Sequence, residues 1–153
     1  MAINFTSLGG EVSTPTEVTP TQSGISLNLE KNTVLDLAKA APSLNNVDLC
    51  AGWDIAVSGV DFDLDISVFL LNEAGKITSA SDVVFYNNPV ANGIQLNGDN
   101  RTGAGEGDDE TITLNLQAVS PTVNKIVCAV TIDQALARRQ TFGMVNNSYV
   151  RLV

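Results

Sequence analysis

An acidic, glycine-rich stretch at residues 98–110 limits how this chain can fold. It holds five carboxylates, one carboxamide and four glycines, and no apolar side chain larger than alanine. Such a stretch has nothing to bury, so it cannot form a core strand or helix. Its glycines also permit positive φ angles and close backbone approach. The simplest interpretation is an acidic, solvated hairpin loop.

A second acidic stretch, residues 60–71, begins with strict alternation of aspartate and apolar residues. In a strand, this alternation puts three carboxylates on one face, about 7 Å apart: Asp61, Asp63 and Asp65. Residues 61–65 and 99–110 together hold eight of the seventeen acids. If the loop folds over the end of this strand, a cation is the simplest way to hold the acids together. Ca²⁺ is the ion that best tolerates irregular oxygen coordination, although neither stretch has the EF-hand pattern.

Arg101 is a basic residue inside the acidic loop. Two roles are open for it: gripping a phosphate or a partner's carboxylate, or pairing with neighbouring acids when the ion is absent. We expect the second role, because acids surround Arg101 in the sequence.

Five motifs resemble the TerD family of tellurium-resistance and stress-response proteins: residues 52–54, 61–65, 85–88, 98–110 and 137–143. They occur in the family's order and with its spacing, and the match runs from about Ile25 to Val153. The resemblance implies a β-sandwich that binds calcium through its two acidic segments. On this sequence those implied ligands are Asp61, Asp63, Asp65, Asp99, Asn100, Glu106, Asp108, Asp109 and Glu110.

The rest of the chain predicts an all-β fold, an antiparallel β-sandwich with at most one short helix. Apolar residues alternate along residues 47–57 and 111–116, while residues 125–132 are apolar on both faces, as in a central strand. Short strands separated by frequent turn signals are typical of sandwiches. Residues 134–140 are the one segment that fits a short helix, and Trp53 is predicted to anchor the core.

Composition excludes several classes of function. The net charge of −9 argues against nucleic acid and anionic membranes as partners, because both attract basic proteins. The sequence has no apolar run near 18 residues, so we expect no membrane insertion. It has no histidine, and no serine or cysteine with a base to activate it, so we expect no enzymatic activity. Cys50 and Cys128 lie in apolar segments and are predicted to be buried thiols of a cytoplasmic protein.

Residues 1–24 form a predicted N-terminal arm, distinct from a TerD-like domain over residues 25–153. The arm is rich in threonine and proline, yet Ile3 and Phe5 alternate as in a strand. Relatives generally continue beyond the position of Val153, so we expect an open sheet edge that the arm of a neighbouring subunit covers. This predicts a homo-oligomer or a filament in which calcium is a stabilising ion. The competing possibility is that the arm folds back onto its own domain.

Overall fold

The computed structural model describes residues 2–5, 27–28, 34–36, 43–56 and 61–153, with the backbone alone for the first two segments. The prediction for the arm falls mostly on residues 6–24, which lie outside the described residues. No helix in the described part of the chain is long and apolar enough to cross a membrane.

The described residues contain eleven strands, numbered in chain order. They are β1 (Ala2–Phe5), β2 (Leu27–Asn28), β3 (Val34–Asp36), β4 (Asn46–Gly52), β5 (Leu64–Leu71), β6 (Val83–Val84), β7 (Val90–Ala91), β8 (Ile94–Leu96), β9 (Glu110–Asn115), β10 (Lys125–Ile132) and β11 (Tyr149–Leu152). Single helical turns occur at Ala80–Asp82, Ala135–Arg138 and Phe142–Met144.

The strands form two sheets. The first sheet has the order β3-β1-β10-β5-β6, and the second has the order β2-β11-β4-β9-β8-β7. Neighbouring strands are antiparallel, except that β1 runs parallel to β10. Strand β1 therefore lies inside the first sheet, with β10 on one side and β3 on the other. Its partners belong to the same chain, and the predicted pairing with a neighbouring subunit stays a prediction.

The core lies between the two sheets. Alternate residues of β9 and β5, such as Ile112 and Ile66, are almost fully buried, and so is Ile126 of β10. A second, smaller cluster packs Trp53 with Phe62, Leu64 and Ile132. This cluster lies where β5 begins and β10 ends, and it supports the loops at that end of the sandwich. The predicted all-β sandwich and the buried Trp53 are confirmed.

Two local predictions need correction. The acidic strand begins at Leu64, so Asp61 and Asp63 precede it. One reason is that the Phe62 carbonyl accepts a hydrogen bond from the Trp53 indole, at 3.0 Å, instead of from a neighbouring strand. The predicted helix over residues 134–140 is a single α-turn, Ala135–Arg138, which begins after Gln134 in a left-handed conformation.

Candidate metal centre

Three carboxylates meet where β5 begins. One oxygen each from Asp63, Asp65 and Asp99 lies within 4.8 Å of the other two. We call these three residues the acid cluster. Asp63 and Asp65 are buried, whereas Asp99 is exposed. The cluster thus joins the two acidic segments of the sequence, which is the condition under which we expected a cation site.

Trp53 holds the two acidic segments together. Its backbone N–H donates to Asp109 Oδ2 at 2.8 Å, and its indole N–H donates to the Phe62 carbonyl, next to Asp63. Gly103 of the acidic loop lies directly against the indole, so that a Cβ at Gly103 would come within 2.5 Å of the ring nitrogen. Trp53, through its backbone and its buried side chain, therefore sets the position of the loop relative to the start of β5.

The Asn100 side chain stabilises the conformation of the acidic loop through hydrogen bonds to other residues of that loop. Its side-chain oxygen accepts hydrogen bonds from the N–H groups of Thr102 and Gly103, both at 3.1 Å. Its side-chain nitrogen donates to Asp109 Oδ1 at 2.8 Å. Asn100 and Asp109, both implied ligands, therefore use polar atoms to hold the loop conformation that presents Asp99.

Asp108 anchors the other side of the loop to β11. Its carboxylate accepts hydrogen bonds from Arg151 at 2.9 and 2.7 Å and from the Tyr149 hydroxyl at 2.9 Å. The Tyr149 ring lies across Gly52, where a Cβ would collide with it. Burial alone would raise the pKa of Asp108, but these hydrogen bonds outweigh it and hold the pKa below its ordinary value.

Glu110 lies beside the acid cluster and is only 1% exposed. One of its oxygens accepts the Ile66 N–H at 2.8 Å, and the other has no hydrogen-bond partner among the described residues. Burial, followed by the charges of the acid cluster, raises the pKa of Glu110 to about 8. Burial and the neighbouring Asp63 likewise raise the pKa of Asp65 to about 6. Ionising all of these carboxyl groups at the start of β5 is therefore unfavourable, because they are buried and close to one another.

Arg101 makes an ion pair with the acid cluster. Its Nε donates to Asp63 Oδ2 at 3.3 Å, which confirms the expected pairing with a neighbouring acid. The Arg101 side chain is 67% exposed, whereas that of Asp63 is 6% exposed. Asp63 Oδ1 is buried and has no hydrogen-bond partner in the described part of the chain.

The structure does not bring all the implied ligands together. Asp61 and Glu106 are exposed and lie outside the acid cluster. The role of Asp61 visible in the structure is a backbone one, since its carbonyl accepts a hydrogen bond from Gln140 at 3.0 Å. Asn100, Asp108 and Asp109 are hydrogen-bonded as described above.

The sequence predicts Asp133 only as the N-cap of the short helix, a position that Gln134 takes, and it does not place Asp133 among the candidate ligands. The charge of Asp133 nevertheless contributes to the raised pKa of Asp65, after burial and Asp63. Asp133 directly follows β10, the strand that pairs with β5, and its N–H donates to the Asp63 carbonyl at 2.8 Å. Its carboxylate accepts a hydrogen bond from Arg138 at 3.2 Å. Only the pairing of β10 with β5 brings Asp133 to this end, and the sequence carries no local signal for that pairing.

The donor set suits a hard divalent cation. All the candidate atoms are oxygens, which calcium prefers. Two buried carboxylate oxygens, Asp63 Oδ1 and Glu110 Oε1, lack hydrogen-bond partners among the described residues. Buried polar atoms in folded proteins normally have a partner, so these two point to an additional ligand.

Comparisons with known proteins agree with this architecture. Residues 25–153 match the TerD domain. The chain is 48% identical over 132 residues to tellurium resistance protein TerD of Serratia marcescens, covering 84% of this chain and 69% of that protein. It is 47% identical over 133 residues to general stress protein 16U of Bacillus subtilis, with the same coverage.

A solved structure also matches. The crystal structure of a homologue of telluride resistance protein from Streptomyces coelicolor has a TM-score of 0.57 at 24% identity. It covers 72% of this chain, and this chain spans 66% of its length. At that identity the likeness supports the fold alone. The match over residues 25–153, together with nearly half-identical relatives, shows that this chain belongs to the TerD family.

Proposed function

We propose that this protein is a calcium-binding, non-enzymatic member of the TerD family. The observation that carries the proposal is the acid cluster, in which oxygens of Asp63, Asp65 and Asp99 lie within 4.8 Å of one another. Glu110 beside them adds an unpartnered carboxylate oxygen, as judged over the described residues. Burial first, and then the repulsion between these acids, raise the pKa values of Asp65 and Glu110, and a divalent cation would offset the repulsion.

Calcium is preferred to magnesium because of the shape of the site. The candidate ligands come from the start of a strand, from a glycine-rich loop and from the first residue of β9. Such ligands form an irregular set, which calcium accepts, whereas magnesium requires a tight octahedron. Binding to the folded state alone raises its stability by RT ln(1 + [L]/Kd), about 2.7 kcal/mol at a hundredfold excess over Kd.

The residues also support a non-enzymatic role in the cytoplasm. The sequence has no histidine to act as a general base. Its two cysteines are free and buried, and burial raises the pKa of both thiols, so neither is poised as a nucleophile. Unpaired thiols suit a reducing compartment.

The names of the relatives support a role in stress response. One is called a tellurium resistance protein and another a general stress protein. We assign this chain to the same kind of response. Expression of this protein in a bacterium that lacks its own TerD protein should raise the tolerance of that bacterium to tellurium compounds. The Asp63→Asn variant should not give this increase. Equal tolerance with both forms would argue against a role for the site.

Calorimetric titration with CaCl₂ tests the site directly. The unaltered protein should bind Ca²⁺ more tightly than Mg²⁺, and Asp63→Asn should weaken binding. Glu73→Gln is the matched control, because it removes one carboxylate charge from the exposed turn beyond the other end of β5. The absence of calcium heat, together with an unchanged melting temperature in EGTA, would refute the proposal. Equal titrations of the two variants would show that Asp63 is not a ligand.

A second candidate function is a structural subunit that self-assembles into a homopolymer. The observation that favours it is the position of β1, which lies between β10 and β3 in the first sheet. The same position in a neighbouring subunit would offer β1 the same backbone hydrogen bonds. If each subunit donates its strand head-to-tail to the next, the product is a fibre unless the subunits close into a ring. Residues 6–26 separate β1 from the next described strand, so the chain has the length to reach a neighbour.

Electron microscopy and light scattering of the purified protein, with calcium and with EGTA, test this second candidate. Ordered assemblies should form with the intact chain and disappear when residues 2–24 are deleted. A small monomer at high concentration for the intact chain would rule out the polymer and leave β1 in the first sheet of its own subunit.

A further inference from the structure

Among the described residues, Arg101 is the basic one that contacts the acid cluster. Its contact is a single hydrogen bond of 3.3 Å from Nε to one oxygen of Asp63. Arg138 pairs instead with Asp133, which is outside the acid cluster. Arg101 therefore faces the same carboxylate that the proposed calcium site uses.

We propose that Arg101 is a built-in counter-ion that calcium displaces from Asp63, and that this competition sets the calcium affinity of the protein. The inference rests on the proposed calcium site and goes beyond it, because it assigns the strength of the site to a residue that is not a ligand.

The two partners differ in their freedom to move. The Asp63 side chain is 6% exposed and lies beside the buried start of β5, whereas the Arg101 side chain is 67% exposed. One monodentate contact from an exposed arginine is a weak restraint, unlike a bidentate pair. Arg101 can therefore turn into solvent without disturbing the core.

The loop backbone can stay in place while Arg101 moves. Asn100 on one side is tied to Asp109 and to the N–H groups of Thr102 and Gly103. Gly103 on the other side packs against Trp53. These contacts involve no atom of the Arg101 side chain, so its release leaves Asp99 where calcium needs it.

The difference in charge decides the competition between Arg101 and Ca²⁺ for Asp63. Arg101 brings one positive charge to Asp63 from the solvent side, whereas Ca²⁺ brings two charges to all three members of the acid cluster at once. A guanidinium and a calcium ion on the same carboxylate repel each other, so the cation that binds second must displace the first or bind more weakly. Replacing the Arg101 side chain with an uncharged one should thus strengthen calcium binding and lower the stability of the calcium-free protein.

The test compares Arg101→Gln with Lys76→Gln, a control that removes the same charge from the exposed turn after β5. For Arg101→Gln we expect a calcium Kd about threefold lower, the size typical of an ion pair with one exposed partner. In EGTA its melting temperature should fall by about 1–3 °C. Arg101→Lys keeps the charge and should restore most of the original affinity, whereas Lys76→Gln should change neither quantity.

For Arg101→Gln we expect calcium affinity to rise while stability in EGTA falls, and these opposite changes separate the proposed role from a merely structural one. A residue that only supports the loop would, on removal, lower both the stability in EGTA and the calcium affinity. An unchanged or raised Kd for Arg101→Gln would overturn the inference while the titration of the unaltered protein still supports the calcium site. If the unaltered protein gives no calcium heat and its melting temperature is unchanged in EGTA, the calcium site is refuted and this inference falls with it.

Discussion

The contact between Gly103 and Trp53 gives the sharpest test of how the acidic loop is held. Gly103 has a φ angle of +70°, and a Cβ there would lie 2.5 Å from the indole nitrogen and 2.8 Å from the Trp53 carbonyl oxygen. Gly103→Ala therefore creates two separate problems, a strained backbone and a collision with a buried ring. We expect it to destabilise the protein and to move the loop that carries Asp99.

Gly75 allows the two costs to be separated. Its φ angle is +72°, nearly the same as that of Gly103, but nothing lies within 4 Å of the position that a Cβ would occupy there. Gly75→Ala should therefore cost only the left-handed backbone penalty, about 1–2 kcal/mol. Gly103→Ala adds the cost of overpacking, about 1–3 kcal/mol. The expected total is about 2–5 kcal/mol, and the difference between the variants measures the contact with Trp53.

Urea unfolding in EGTA, followed for the unaltered protein and both variants, measures these free energies. Calcium titration should then show weaker binding for Gly103→Ala and unchanged binding for Gly75→Ala, because only the first lies in the loop. If both variants lose the same stability, the indole does not hold the loop. If Gly103→Ala loses stability but binds calcium normally, the loop position does not govern the site.

Three further predictions follow from the same contacts. Glu110→Gln keeps an oxygen for the Ile66 N–H but removes a buried carboxylate, so in EGTA stability should change by less than about 1 kcal/mol. Its calcium affinity should fall by about tenfold or more, and unchanged calorimetric titrations would exclude Glu110 from the site. Trp53→Phe removes the indole N–H from the Phe62 carbonyl and should cost about 1–3 kcal/mol in urea unfolding; no loss would show that this bond is unimportant. Hydrogen bonds from Thr78 and Ser79 lower the pKa of Asp82 from its ordinary value of 3.8. The ionised Asp82 therefore stabilises the folded protein above pH 3.8, and this contribution disappears as the pH falls through the lowered pKa. Thr78→Val should bring the Asp82 pKa back toward 3.8 in an NMR titration, and an unmoved value would contradict the assignment.

Much of the fold could be predicted because its signals are local. Alternation over residues 111–116 corresponds to β9, where Ile112 and Leu114 face the core and the residues between them do not. The acidic loop could be predicted because residues 98–110 have no apolar side chain larger than alanine to bury. That the loop meets the start of β5 was only a condition for the predicted cation site, and the acid cluster shows that this condition is met.

The roles of individual acids could not be predicted, because they depend on partners that are distant in sequence. Asp108 pairs with Arg151, 43 residues away, through the pairing of β11 with β4. Asp109 accepts a hydrogen bond from Trp53, 56 residues away. The position of β1 inside the first sheet likewise depends on a pairing with β10 for which the sequence has no local signal. A sequence shows which residues are acidic but not which of them already have a donor.

The division of the acids into two sets has a consequence for the calcium-free protein. Asn100, Asp108 and Asp109 fix the loop to itself, to β11 and to Trp53 through bonds that need no ion. Asp63, Asp65, Asp99 and Glu110 carry the crowded charge, and two of their buried oxygens have no partner in the described residues. The first set therefore preorganises the second, so that in the proposed site calcium would meet ligands already held in place. A site of this kind should bind calcium without a large rearrangement of the loop, and removal of calcium should lower stability without unfolding the sandwich, whose core lies between the sheets.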